Sequence, residues 1–212
     1  MGLHATELAR SKVLEQETNL RGRIEAWYAH QALYMPSVAV LRLQDVEKRD
    51  RPEAVYAIRL YLPSEVGDQV ECSPALHEYE WALREASAKD QLEMLRSHLR
   101  MYAFLEGKQR QGIGGVAAST RAQNTIKACR VRIKGCAERY RKAYHALRVL
   151  GPMLQKNDKW CLQFKDLKAE DIRPVSMGYK CGEGSVVLSW IWLDGGFDPH
   201  DPESVNDGLF SS

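Results

Sequence analysis

Basic side chains are the residues of this sequence best suited to chemistry, because they are concentrated in one stretch. Between Arg96 and Arg148 there are thirteen lysines and arginines against two acidic residues, Glu106 and Glu138, which gives a local net charge of +11. The whole chain of 212 residues carries a formal charge of only +2. Cations at this density form an electropositive face, and phosphate groups are the usual ligands of such a face.

Four of these cations recur every seven residues, at positions 127, 134, 141 and 148. On an α-helix they form one row with steps of about 10 Å, a spacing suited to a phosphate backbone. We predict a nucleic-acid-binding face formed by six side chains: Lys127, Arg130, Lys134, Arg141, Lys142 and Arg148. The alternative is that these cations pair with acidic residues of this chain or of a protein partner. No zinc-finger spacing and no basic region leading into a leucine zipper indicates base-specific readout.

Residue patterns typical of enzymes do not occur in the sequence. Residues 112–117 (GIGGVA) fit GxGxxA, but a dinucleotide-binding loop follows a buried strand, and here an amphipathic helix is predicted before it. There is no GxxxxGK[ST], HExxH or GxSxG motif, and the six histidines are scattered. The five cysteines are widely spaced, which favours reduced thiols over disulfides or a zinc site. We therefore predict no enzymatic activity, no catalytic residue, no metal site and no cofactor.

The predicted basic face lies on the clearest heptad pattern of the sequence. Apolar residues recur every seven positions in two series offset by three. The first series is Ile126, Ile133, Tyr140 and Leu147, and the second is Ala122, Cys129, Cys136, Ala143 and Leu150. This pattern predicts a helix over 119–150 with one apolar seam, closed by Gly151 and Pro152.

A second long helix is predicted before it, because Ser73 and Pro74 form a helix start signal. Its apolar residues form two stripes, and the change of direction near Ser87 indicates a bend or a change of packing partner. The first stripe is Leu76, Tyr79, Leu83 and Ala86, and the second is Ala88, Leu92, Leu95, Leu99, Tyr102 and Leu105. Two long helices joined by a glycine-rich connection predict an antiparallel hairpin with a shared seam.

The predicted fold class is mainly α, with a long antiparallel helical hairpin or a three-helix bundle and a small irregular C-terminal subdomain. We predict an N-terminal amphipathic helix at 1–36, a connector at 37–72, the hairpin at 73–151, a small tryptophan-containing subdomain at 152–193 and an acidic mobile tail at 194–212. Helix and strand are both open for 185–193. No apolar run approaches the roughly 20 residues of a membrane span, and no signal peptide is visible, so we expect a soluble intracellular protein without a membrane partner.

Short motifs follow one another in a fixed order along the chain: RIEAW at 23–27, ALYMP at 32–36, YLPS at 61–64, LEMLRSHLR at 92–100, STRA at 119–122, DIRP at 171–174, GEG at 182–184 and LSWIW at 188–192. Together they resemble the C-terminal helical region of the Kyakuja, Dileera and Zisupton (KDZ) superfamily of eukaryotic DNA transposases, which is abundant in fungal genomes. In that family, metal-dependent cutting and joining of DNA belongs to an RNase H-like domain upstream of the matched region. The resemblance therefore assigns none of the family's catalytic carboxylates to this chain.

The resemblance implies a catalytically inactive, transposase-derived accessory module with a nuclear location. Its expected partners are DNA, bound without sequence preference, and a second copy of the chain or a catalytic transposase subunit. The alternative function is a protein-interaction or oligomerisation scaffold that uses the heptad seam and has no role with nucleic acid.

Overall fold

The regular structure of the chain is helical. The computed structural model describes residues 7–47, 53–110, 116–175 and 189–193, with only the backbone described for 116–119. Within these ranges there is no β-strand, and the predicted mainly α class with a helical hairpin is confirmed. The α-helices are α1 (Glu7–Tyr34), α2 (Val38–Glu47), α3 (Pro63–Val66), α4 (Pro74–Arg110), α5 (Val116–Met153) and α6 (Lys159–Gln163).

The chain divides into two compact units, and the boundary between them falls inside α4. Unit 1 comprises the residues up to 80 together with 152–154, and unit 2 comprises 81–151 together with the residues from 155 onward. This division differs from the predicted segments, which placed the whole of 73–151 in one hairpin. The predicted acidic tail at 194–212 lies outside the described residues.

Unit 1 contains α1, α2, α3 and the first turns of α4. Pro36 prevents the continuation of α1 because it has no amide hydrogen, and α2 begins two residues later. The predicted connector at 37–72 thus begins with the helix α2, and a short 3-10 turn, Val55–Ala57, follows later in it. The core of the unit consists of Met35, Val38, Tyr61, Val66 and Val70.

A buried glutamine of α1 fixes the backbone that leads into α3. The Nε2 atom of Gln31 donates hydrogen bonds to the carbonyl oxygens of Leu60 (3.1 Å) and Tyr61 (2.7 Å). Its Oε1 atom accepts a hydrogen bond from Nη2 of Arg42 at 2.8 Å. Tyr61 has a φ of 54°, a left-handed conformation that costs about 1 kcal/mol in a residue with a side chain. The glutamine bonds and the buried tyrosine ring together hold this conformation.

In unit 2, α4 and α5 lie side by side as the predicted hairpin. Arg139 of α5 donates a hydrogen bond from Nε to Oε1 of Gln91 at 2.8 Å. Nearer the start of α5, Nη2 of Arg130 donates to the hydroxyl of Tyr102 at 2.7 Å. Partners with higher numbers on α4 thus meet lower numbers on α5, which makes the two helices antiparallel.

The ends of α5 differ from the prediction by three residues at each end. The helix begins at Val116 instead of 119 and continues to Met153. Gly151 consequently lies within the helix and does not adopt a left-handed cap conformation. A Cβ atom at this position would meet the rings of Trp81 and Trp160 at 3.5 Å, so the glycine lies directly beneath this aromatic pair.

Only the second predicted stripe of α4 forms a core. Ala88, Leu92, Leu95 and Leu99 are almost completely buried. Tyr79 and Leu83 of the first stripe are 69% and 71% exposed, whereas Trp81 is buried. The unit boundary falls between Glu80 and Trp81, several residues before Ser87, where a bend or a change of packing partner was predicted. Leu76 packs on the core of unit 1, and the buried residues from Trp81 onward belong to unit 2.

The residues after α5 pack on the hairpin within unit 2. Phe164, Leu167, Ile191 and Trp192 are buried, and the hydroxyl of Tyr140 donates to the carbonyl oxygen of Lys165 at 2.8 Å. Residues 190–192 form a 3-10 turn, while 185–188 of the same predicted run lie outside the described part of the chain.

Candidate nucleic-acid interface

The heptad seam of α5 faces α4 and the C-terminal residues, which leaves the opposite side of α5 to solvent. Seven members of the two predicted series are buried and the other two are half-buried. The buried ones are Ile126, Cys129, Cys136, Tyr140, Ala143, Leu147 and Leu150. Burial of these side chains is the main favourable contribution to the hairpin, at about 1.5 to 3 kcal/mol for each large side chain. The seam thus fixes which residues of α5 can meet a ligand.

Three cations of the predicted row lie on the solvent side with their charges available. Lys127, Lys134 and Arg148 are exposed. Nζ of Lys134 lies 3.8 Å from Oε1 of Glu138, in a pair whose side chains are 79% and 55% exposed. Such an exposed pair contributes at most about 0.5 kcal/mol, so a phosphate can replace the carboxylate. Within the described ranges, Lys127 and Arg148 form no ion pair.

The fourth cation of the row, Arg141, has a structural role. Its side chain is half-buried, and Nε donates a hydrogen bond of 2.8 Å to the carbonyl oxygen of Leu167. The sequence placed Arg141 in line with the three exposed cations but carried no sign of this bond. Its guanidinium group is therefore less available to a ligand than the sequence predicted.

The two remaining predicted residues lie on either side of the row. Arg130 is exposed, but Nη2 contacts the hydroxyl of Tyr102 at 2.7 Å and Oε1 of Glu106 at 3.5 Å. The hydrogen bond to Tyr102 is the largest of the interactions that raise the pKa of this guanidinium group. Lys142 is exposed and forms no ion pair among the described residues. Of the six predicted side chains, Arg130 and Lys134 are thus paired with carboxylates of this chain.

Two further arginines make the neighbouring flank of α5 electropositive. Burial lowers the pKa of His98 below its ordinary value of 6.5, and the charges of Arg132 and Arg139 lower it further. A cationic neighbourhood disfavours a further positive charge, so the two arginines lower this pKa in the same direction as burial does. Arg132 is exposed and was not among the six predicted residues.

Glu138 is an acidic residue within the cationic face, a position that the predicted face did not include. It follows Lys134 by one helical turn and is exposed on the same side of α5. A helical wheel of α5 would have shown this position. The face therefore consists of discrete cations separated by a carboxylate, and its positive charge is not continuous.

The rest of the described chain offers little support for other chemistry. A polar cleft of about 240 Å³ in unit 2 is lined by Lys89, Asp90, Leu92, Glu93, Arg96, Gln163 and Phe164. Among the residues that the structure describes, no three His, Cys, Asp or Glu side chains are placed to hold a metal ion. The described cysteines, Cys72, Cys129, Cys136 and Cys161, are free thiols. None of the helices in the described ranges is long and apolar enough to span a membrane.

Comparisons with protein-family models, with curated proteins and with solved structures find no match to this chain.

Proposed function

We propose that this chain is a non-catalytic helical module that binds duplex DNA without sequence preference through the exposed cations of α5. The observation that carries the proposal is the position of Lys127, Lys134 and Arg148, which lie in one row opposite a buried seam. Their only ion pair among the described residues is the weak one to Glu138. Free, exposed cations in a row release counterions from DNA when they contact phosphates, which supplies the free energy of non-specific binding.

We further propose that the module derives from a KDZ-type transposase. This proposal is supported by the order of the short motifs, of which RIEAW lies in α1 and LEMLRSHLR in α4. In this proposal the chain holds DNA in the nucleus while another polypeptide carries out phosphoryl transfer.

The proposed DNA binding is tested by fluorescence anisotropy with a labelled duplex of arbitrary sequence. Three phosphate contacts predict a plot of log K against log salt concentration with a slope of about −2.7. Reversal of the row by Lys127→Glu, Lys134→Glu and Arg148→Glu is expected to abolish binding at 0.1 M salt, on the order of a 500-fold loss.

A matched control changes the net charge by the same amount elsewhere. Lys12, Arg21 and Arg23 are exposed on α1, in unit 1. When glutamate replaces all three, the plot of log K against log salt concentration should keep its slope of about −2.7. Absence of binding by the unaltered chain at low salt would refute the function. An equal loss in both triple variants would refute the assignment to α5.

A self-associating scaffold is the second candidate, and α1 is the feature that favours it. Only Ile24 and Gln31 are buried among the 28 residues of this helix, while Leu8, Leu14 and Leu33 are more than 60% exposed. The heptad seam, by contrast, is already buried in the hairpin. If the scaffold is correct, sedimentation shows a concentration-dependent dimer that Leu14→Gln dissociates; a monomer at all concentrations rejects it.

A further inference from the structure

The three available cations of the seven-residue row on α5 are unevenly spaced along the helix axis. Lys127 and Lys134 are seven residues apart, and Lys134 and Arg148 are fourteen apart, which corresponds to about 10 Å and 21 Å. The row spans about 32 Å in total. Arg141 would make the spacing even, but its guanidinium group is half-buried and bonded to the carbonyl oxygen of Leu167. The available cations are therefore separated by one interval of about 10 Å, the short step, and one interval of about 21 Å, the long step.

B-form DNA presents its phosphates at similarly uneven intervals along one side. The minor groove is about 6 Å wide and the major groove about 12 Å wide, and one turn advances about 34 Å. A rod parallel to the duplex axis meets one backbone, crosses the minor groove in a short step, meets the other backbone and crosses the major groove in a long step. It then has advanced one helical turn, and the pattern repeats.

We propose that α5 binds B-form duplex DNA parallel to the duplex axis, with its short step across the minor groove and its long step across the major groove. This inference deepens the proposed function and rests on it. Lys127 and Lys134 contact the two backbones that flank the minor groove, and Lys134 and Arg148 contact the two that flank the major groove.

The direction of the three cations and the position of Glu138 agree with this placement. A seven-residue spacing lags about 20° behind two full turns of an α-helix, so the three cations lie within an arc of about 60°. One side of a duplex can meet all of them. Glu138 lies in the long step, where no backbone crosses, so its carboxylate faces a groove and avoids close contact with phosphates.

A charge-neutral exchange tests the spacing separately from the charge. Lys134→Glu combined with Glu138→Lys moves one cation by four residues, or about 6 Å, and makes the two steps nearly equal at about 16 Å and 15 Å. The net charge and the number of exposed cations do not change. We expect the loss of one phosphate contact, which lowers the salt slope by about 0.9 and weakens binding about eightfold at 0.1 M salt.

The matched control is the same exchange at an ion pair of α4 between exposed Lys89 and half-buried Glu85. Nζ of Lys89 lies 2.8 Å from Oε1 of Glu85, four residues away, and Glu85→Lys combined with Lys89→Glu again preserves the net charge. This variant should bind with unchanged affinity and slope. Circular dichroism measures whether both variants keep the helix content of the unaltered chain, which we expect because none of the four positions is buried.

Duplex RNA of equal length provides a second test, because its A-form has a narrow major groove and a wide minor groove. We expect weaker binding of duplex RNA than of duplex DNA, and no further loss of RNA binding in the exchanged variant. Equal binding of the two duplexes, or an exchanged variant that binds DNA as the unaltered chain does, would overturn the groove assignment but leave the proposed DNA binding in place. Failure of the unaltered chain to bind any duplex would overturn both.

Discussion

Arg141 and Arg148 occupy equivalent positions in the heptad, yet the structure gives them opposite roles. In Arg141→Gln, the carbonyl oxygen of Leu167 loses the charged donor that lies 2.8 Å away. Hydrogen bonds from charged groups contribute about 1.5 to 3 kcal/mol, and the half-buried position favours the lower end of this range. We therefore expect the free energy of unfolding to fall by about 1.5 kcal/mol. The affinity for DNA should stay the same, because this guanidinium group contacts no phosphate in the proposed complex.

In Arg148→Gln we expect the reverse pattern. The side chain is exposed and makes no ion pair within the described ranges, so the free energy of unfolding should change by less than about 0.5 kcal/mol. The slope of log K against log salt should become less steep by about 0.9.

Urea unfolding, followed by circular dichroism, and anisotropy titrations at several salt concentrations measure the two quantities on the same samples. Equal effects of the two substitutions on DNA binding would contradict the distinction, and so would a larger loss of stability in Arg148→Gln.

Three further predictions concern the hairpin and unit 1. Leu95→Ala should lower the free energy of unfolding by about 2 to 5 kcal/mol, because Leu95 is fully buried. Leu83→Ala, at an exposed position of the same helix, should change it by less than about 0.5 kcal/mol. Similar values for the two variants in urea unfolding would contradict the described core. Gly67→Ala should destabilise unit 1 by about 1 to 3 kcal/mol, since Gly67 has a φ of 53° and a ψ of −135°; an unchanged unfolding midpoint would refute this. The pKa of His98 should be below 6.5 by NMR titration, so stability falls as the pH drops below 6.5, and His98→Gln should remove this component. A pKa at or above 6.5 would contradict the burial of His98 beside two guanidinium groups.

The seam of α5 could be predicted because a seven-residue repeat has one physical solution, a helix with a single buried side. The same reasoning was wrong for Tyr79 and Leu83 of α4, which have helical spacing but remain exposed. Spacing identifies residues that share a face of a helix. Whether that face meets a partner depends on the unit boundary next to Trp81, which no local pattern marks.

The availability of each cation could not be predicted from the sequence. Arg141 is bonded to a carbonyl 26 residues away, and Arg130 contacts Glu106 of the other helix. Both contacts arise from tertiary packing. The burial of Gln31 in unit 1 has the same origin, because its partners are the backbone carbonyls of residues 60 and 61. The sequence predicts where charge is concentrated, and the structure determines which charges are free.

Acetylation footprinting of lysines tests the binding face most directly, because it reports each amine separately. Acetylation of Lys127 and Lys134, measured by mass spectrometry, should become several-fold slower when the chain is saturated with duplex DNA. Lys12 of α1 and Lys89 of α4, which are exposed and belong to other helices, should react at the same rate with and without DNA. Unchanged reactivity of Lys127 and Lys134 in a chain shown by anisotropy to be fully bound would contradict the claim that the exposed row of α5 holds the phosphates.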